Sequence, residues 1–132
     1  MKNELSSQTR ENIRLAARGA DAILDDLIAV RRDIHAHPEQ RFEEVRTAGI
    51  AAEALRSLGI EIRTGVGKTG ITGVLRGGLG EGKVIGIRCD MDALPVIEKT
   101  GAPYQSLTPG TMHACGHDVH TAIGIGVARV LA

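Results

Sequence analysis

Residues 60–92 have the sequence IEIRTGVGKTGITGVLRGGLGEGKVIGIRCDMD, in which the hydrophobic period is that of β-strands. Ile60 and Ile62 alternate with charged residues. Residues 71–76 form a short segment that contains β-branched residues, and residues 84–89 are nearly all apolar. Glycines between the last two segments permit positive φ, so we expect those two strands to pair antiparallel. The stretch predicts an α/β fold in which helices pack on a mixed sheet.

Helical periods flank this region on both sides. Apolar residues within residues 20–36 recur on one helical face, and Pro38 should end that helix. A second helix is predicted over residues 42–58, with Gly59 as the left-handed residue that terminates it. A third, Gly-containing helix is predicted to begin near Asp118, after a long loop in which prolines and glycines exclude regular structure.

Length and charge limit the class of protein. The chain has 132 residues, 42% of them hydrophobic, which suits one globular unit. Sixteen Lys and Arg balance sixteen Asp and Glu, so no long-range field favours nucleic acid or a membrane surface as partner. The sequence offers no apolar run of membrane-spanning length, and its start is polar. We therefore expect a cytoplasmic protein with a small-molecule or protein partner.

The strongest chemical pattern is MHACGHDVH, residues 112–120. In an extended segment His113, Cys115 and His117 would project to the same side. Thiolate and imidazole are the ligands that zinc prefers, and imidazole also suits nickel or manganese. The pattern predicts a metal site, although a histidine-rich helix entry capped by Asp118 is the structural alternative.

A pair of acids, Asp90 and Asp92, directly follows the most apolar predicted strand. The carboxyl ends of strands are where α/β proteins place their sites, so both carboxylates can face the loop that carries Cys115 and His117. One of them could orient a ligand histidine by hydrogen bonding. The alternative is that both acids belong to a turn that ends the strand.

Two other patterns are weaker indications of a functional site. Residues 67–69, Gly-Lys-Thr, resemble the end of a phosphate-binding loop, but Ile62 stands where its first glycine should be. A turn between strands explains these residues better. His35 and His37 are two apart on a predicted helix and point away from each other, so we interpret them as surface histidines or as histidines behind a metal ligand.

Five segments occur in one order and spacing, and together they indicate a family. They are RRDIHAHPE at 31–39, FEE at 42–44, GVGKTG at 65–70, DMDALP at 90–95 and MHACGHDVHTA at 112–122. From residue 25 onward the chain resembles the amino-terminal portion of the hippurate hydrolase, N-acyl-amino-acid amidohydrolase and auxin-conjugate hydrolase group. This group belongs to the aminoacylase-carboxypeptidase superfamily of metallopeptidases.

The resemblance implies an α/β catalytic domain that binds a pair of divalent metal ions, manganese, nickel or zinc. Cys115 and His117 match metal ligands of the family. Asp92 matches the catalytic acid that supports the site from behind the ligands, and Asp90 stands where related peptidases have a ligand histidine. The resemblance then implies that His113 and His120 contact either a metal-ligating residue or the substrate.

The implied activity is metal-dependent hydrolysis of N-acyl amino acids, with a glutamate as general base. The family's Glu-Glu pair, its further ligands and its inserted dimerisation domain are absent from these residues. We therefore expect residues 1–19 to be a helical lead-in and residues 20–132 to be a partial catalytic domain, inactive alone and prone to homodimer formation or self-association. The alternative is a noncatalytic remnant or a metal-binding partner module.

Overall fold

The computed structural model describes residues 5–78, 80 and 82–132, and within them it has four helices and one two-stranded sheet. The helices and strands are α1 (Ser7–Ala22), α2 (Leu24–Ala36), α3 (Val45–Ser57), β1 (Glu61–Val66), β2 (Gly70–Val74) and α4 (His117–Leu131). The α/β class is therefore confirmed.

The first two helices are separated by a single residue. Ile23, with φ −113° and ψ 4°, leaves the helical geometry, so the helix predicted over residues 20–36 begins only at Leu24. Helix α1 begins at Ser7 because the side chain of Ser6 accepts a hydrogen bond from the backbone N–H of Thr9 and caps it, and it extends beyond the predicted lead-in to Ala22. Residues 1–4 of that lead-in lie outside the described residues. Helix α2 ends just before Pro38, as expected.

Helix α3 starts three residues later than the sequence predicts. Phe42 has a φ of 67°, which is incompatible with a right-handed helix, and the chain turns before Val45. At the other end Gly59 has a φ of 72°. This left-handed conformation terminates the helix, as predicted.

The sheet is an antiparallel hairpin. Glu61 pairs with Val74 and Thr64 with Ile71, so β2 pairs with β1. The predicted pairing of residues 71–76 with residues 84–89 is wrong. The GVGKTG segment forms the hairpin turn, as expected of a link between strands.

The third predicted strand, over residues 84–89, is not formed. Val84 is 97% exposed, Ile85 84% and Ile87 59%. A strand requires a neighbour to accept its backbone hydrogen bonds, and the described residues provide none beside this segment. The glycine-rich connection before it includes residues 79 and 81, which lie outside the described residues.

The long loop between this segment and α4 is confirmed, and it is tied to the rest of the fold at two points. Ala93 forms a parallel bridge with Gln40, and Leu94 forms an antiparallel bridge with Met112. These bridges place residues 90–94 beside both the end of α2 and the start of α4.

The core lies where α2, α3 and α4 meet. Its buried apolar residues are mostly small, and they are Ile34, Ala48, Ala51, Ala52, Ile60, Ala93, Ala122 and Ile125. Small side chains allow helices to approach closely: a Cβ on Gly126 of α4 would lie 2.7 Å from Leu27 Cδ1 of α2. No helix in the part of the chain that the structure describes is long and apolar enough to cross a membrane.

Candidate metal centre

The segment predicted to bind metal, residues 112–120, enters α4 through a turn. Gly116 has a φ of 77°, and α4 begins at His117 directly after it. Because the chain turns here, the side chain of His113 is buried whereas that of Cys115 is exposed. The prediction that His113, Cys115 and His117 project to the same side is therefore wrong, since it assumed an extended segment.

His117 is oriented by Asp92. Its Nδ1 atom lies 2.8 Å from the backbone carbonyl oxygen of Asp92 and 2.9 Å from the Oδ1 atom of the same residue. Both oxygens are acceptors, so Nδ1 carries the proton, and Nε2 is the nitrogen left to bind a metal. Ligand histidines commonly donate their other ring N–H to a carboxylate or carbonyl in this way.

Three side chains lie close enough to share an ion: Asp90, His117 and His120 each offer one ligand atom, and these atoms all lie within 4.8 Å of one another. Ligand atoms bound to one ion at about 2.2 Å can be at most about 4.4 Å apart, so shifts of a fraction of an ångström would suffice. The rings of His117 and His120 stack at 5.4 Å. Imidazole and carboxylate donors suit zinc, nickel and manganese, and this donor set therefore fits such an ion.

This group and the ligand pair implied by the family resemblance share only His117. Cys115 is exposed and is not part of the group of three. Asp90 and His120, which the sequence suggested as residues that contact a metal-ligating side chain or the substrate, are instead grouped with His117 as candidate ligands. The helical spacing contained that signal for His120, because residues three apart share a helix face. Asp90 borders a cleft of about 230 Å³ together with His120.

His113 occupies a different environment. Its side chain is 4% exposed, and neither ring nitrogen has a hydrogen-bond partner among the described residues. Burial lowers the pKa of His113 below its ordinary value of 6.5, and the nearby His35 and His117 add to this, although Asp118 and Asp92 act in the opposite direction. Burial therefore favours the neutral form of His113.

The other cysteine is not a ligand candidate. Cys89 is half-buried, and burial, reinforced by the negative charge of Asp90, raises the pKa of its thiol. Its Sγ atom would lie 2.7 Å from a Cβ on Gly124 of α4. Cys89 therefore packs as a small side chain against the helix.

The two histidines before Pro38 differ from each other. His37 is half-exposed, and its Nδ1 atom donates to the carbonyl oxygen of Asp33 at 2.8 Å. His35 is 4% exposed, so of the two interpretations, a surface histidine or a histidine behind a metal ligand, the first does not apply to His35. Helix α2 turns His35 inward toward the start of α4, a contact across the fold that sequence spacing does not reveal.

Comparisons with known proteins agree with these motifs. Residues 86–132 match the model of "Peptidase family M20/M25/M40". The hippurate hydrolase of Campylobacter jejuni is 47% identical over 78% of this chain and 27% of its own length. The N-acyl-L-amino acid amidohydrolase of Geobacillus stearothermophilus is 43% identical over 94% of this chain and 32% of its own length.

A solved structure extends the similarity to the fold. The YXEP protein of Bacillus subtilis, described as a dinuclear metal binding peptidase from the M20 family, superposes with a TM-score of 0.78 at 46% identity. The match covers 84% of this chain and 31% of that one.

The resemblance predicted from the motifs is thereby confirmed: the chain corresponds to the amino-terminal portion of proteins of the M20 metallopeptidase family. It spans about a third of the length of the relatives it matches.

Proposed function

We propose that this chain contributes metal ligands to a metal-dependent amidohydrolase that cleaves N-acyl amino acids of the hippurate type. The hydrogen bond from His117 Nδ1 to Asp92 is the main support, because it fixes the tautomer that leaves Nε2 free for an ion. Relatives named as hydrolases of N-acyl amino acids support the substrate class. A bound metal pair would supply the polarisation of the amide carbonyl and the activation of water.

The residues of this chain have separable roles in the proposal. His117 is a ligand, and Asp92 holds its ring. Cys115 is exposed at the turn that leads to His117, and the family resemblance assigns it the role of a thiolate ligand. Asp90 and His120 provide further donor atoms on the side of the cleft.

The first prediction is that metal binding depends on His117 and Cys115. We expect His117→Ala to abolish, and Cys115→Ser to weaken strongly, the binding of zinc, nickel and manganese by the purified chain. Removing an imidazole or thiolate leaves too few donors of the kind these ions prefer. Bound metal is measured by elemental analysis after dialysis and by isothermal titration.

Two further variants complete this experiment. Cys89→Ser is the control for the loss of a cysteine, because Cys89 packs against α4. The metal content of this variant should match that of the wild type. His120→Ala distinguishes the two possible ligand sets. If His120→Ala loses most of the bound metal and Cys115→Ser loses none, the ligands are Asp90, His117 and His120, and Cys115 is not one of them. Equal metal content in wild type and His117→Ala would contradict the proposed function.

A metal-binding module without catalysis is the second candidate. The observation in its favour is that Asp90, His117 and His120 all belong to this chain and already lie within 4.8 Å of one another. Tight binding of a single ion, with a stoichiometry that remains one when metal is in excess, would favour the module over a two-metal enzyme.

A further inference from the structure

A buried polar cluster lies behind the start of α4, on the side away from the cleft. His35 of α2 stands between two carboxylates: its Nδ1 atom lies 2.7 Å from Asp118 Oδ2, and its Nε2 atom lies 3.2 Å from Glu98 Oε1. The Nε atom of Arg31 also lies 2.8 Å from Asp118 Oδ2. The ring of Tyr104 packs edge-on against His35 and beneath Arg31.

Asp118 depends on these partners. Its side chain is 0% exposed, and an ionised carboxylate out of contact with water is costly unless opposite charge and hydrogen bonds compensate it. Its other oxygen, Oδ1, has no hydrogen-bond partner among the described residues, so compensation comes through Oδ2. Asp118 lies in the first turn of α4, where the helix dipole also favours a negative charge.

The cluster helps to hold the first turn of α4 against its neighbours. His117 bonds to Asp92, and the hydroxyl of Thr121 donates to the backbone carbonyl of Asp90 at 3.2 Å. Asp118, the next residue after His117, is hydrogen-bonded to His35 of α2 and lies beside the positive charge of Arg31. His117 and Asp118 are adjacent in one helical turn, so a displacement of Asp118 would also move the backbone that carries His117.

The carboxylate of Glu98, on the other side of the His35 ring from Asp118, is itself held by hydrogen bonds. Glu98 accepts a hydrogen bond from the backbone N–H of Ser106 at 2.6 Å and another from the hydroxyl of Thr100. His35 is thus held on both ring nitrogens, in one orientation, by groups from the loop and from α4. Its ring is not free to turn away from Asp118.

From this arrangement we infer that Arg31, His35 and Glu98 form a positioning cluster that holds Asp118, and through it keeps His117 aimed at the metal. The inference rests on the proposed function, because it takes His117 to be a ligand. None of the three residues belongs to the group of Asp90, His117 and His120. They act through the backbone of α4, and two of them, Arg31 and His35, come from the RRDIHAHPE segment.

The test compares replacements of His35 in the purified chain, with cobalt(II) as the probe ion. His35→Leu removes both hydrogen bonds, whereas His35→Asn keeps an amide N–H near the position of Nδ1 and can still donate to Asp118. We expect His35→Leu to weaken cobalt binding roughly 10 to 100-fold and to change the d–d absorption spectrum, and His35→Asn to restore most of both. Circular dichroism verifies that each variant is folded at the temperature of measurement.

Two controls separate positioning from stability. Leu27→Ala loosens the same pair of helices far from the site, and Asp26→Asn breaks the exposed ion pair between Asp26 and Arg129, which also joins α2 to α4. Both should leave the cobalt spectrum and affinity unchanged, even where the melting temperature falls as much as in His35→Leu.

The outcomes are distinguishable. If Leu27→Ala weakens cobalt binding as much as His35→Leu does at equal loss of stability, or if His35→Leu binds normally, the positioning role is wrong while the proposed function stands. A wild-type chain that binds no cobalt would overturn both.

Discussion

At the residue scale, two carboxylates organise the start of α4. Asp92 contacts the ring of His117, and Asp118 contacts the ring of His35. The sequence identified Asp92 because it sits in a motif with an established place in the family. For His35 it left two interpretations open, a surface histidine or one behind a metal ligand, and it did not identify Asp118 as the partner, because a contact between residues distant in sequence leaves no periodic signal.

Glu98 gives the cluster a dependence on pH. Burial alone would raise the pKa of Glu98, but hydrogen bonds from Ser106, Thr100 and His35 outweigh it and hold the pKa below the ordinary value of 4.5. The folded state therefore favours the ionised form. The resulting stabilisation is complete above pH 4.5 and is lost as the pH falls through the lower pKa of the folded state.

We therefore predict that Glu98→Gln destabilises the chain above pH 4.5 and that its difference from the wild type shrinks at lower pH. Urea unfolding across that range measures the effect. Glu53→Gln is the control, since the side chain of Glu53 is 78% exposed and its pair with Arg56 contributes little. A difference between wild type and Glu98→Gln that does not change with pH would contradict this account.

At the element scale, the structure depends on close approach of α4 to its neighbours. Gly124 faces Cys89, and a Cβ at position 124 would lie 2.7 Å from the sulfur. The side chain of Cys89 is short, so it cannot move aside as a long side chain would. Glycine is required at this position because of that contact.

We predict that Gly124→Ala destabilises the chain by about 1 to 3 kcal/mol, because overpacking outweighs the helix propensity gained. Thermal or urea unfolding measures the change. The double variant Gly124→Ala with Cys89→Ala removes the sulfur and should recover much of the loss. Gly49→Ala in α3, where a Cβ would meet nothing within 4 Å, should instead stabilise by about 0.5 to 1 kcal/mol. Equal effects at positions 49 and 124 would refute the close contact.

The helices were predictable from sequence and the sheet only in part, for physical reasons. Helices α2, α3 and α4 are set by local periodicity and by stop signals such as Gly59 and Pro38, and their bounds match within a few residues. The apolar run at residues 84–89 has the composition of a strand, but strand formation depends on a partner elsewhere in the chain. Residues 113–117 were likewise expected to be extended, with side chains alternating between two faces, but the turn at Gly116 interrupts that conformation.

At the scale of the whole molecule, the proposed function makes the chain one part of a catalytic centre. Two-metal hydrolysis needs two ions about 3.5 to 4 Å apart and a base within reach of the attacking water. The exposed Val84 and Ile85 also leave an apolar surface that favours self-association, which stays a prediction.

We predict that the 132-residue chain alone does not hydrolyse hippurate at a useful rate with zinc, nickel or manganese in excess, because it offers too few ligands to hold two ions. Mixing it with a separately expressed carboxyl-terminal portion of a complete relative should produce activity. His117→Ala in the same mixture is the control and should be inactive. Robust metal-dependent turnover by the chain alone would overturn the prediction.

The bond between His35 and Asp118 also bears on the order of events during folding, because it joins residues 83 positions apart. Contacts of such long sequence separation form late, since the intervening chain must first close a large loop at a cost in entropy. Helix α2 leaves the ribosome well before α4 is synthesised. The support that His35 gives to the first turn of α4 is therefore acquired only after the chain between α2 and α4 has been synthesised and its loop has closed.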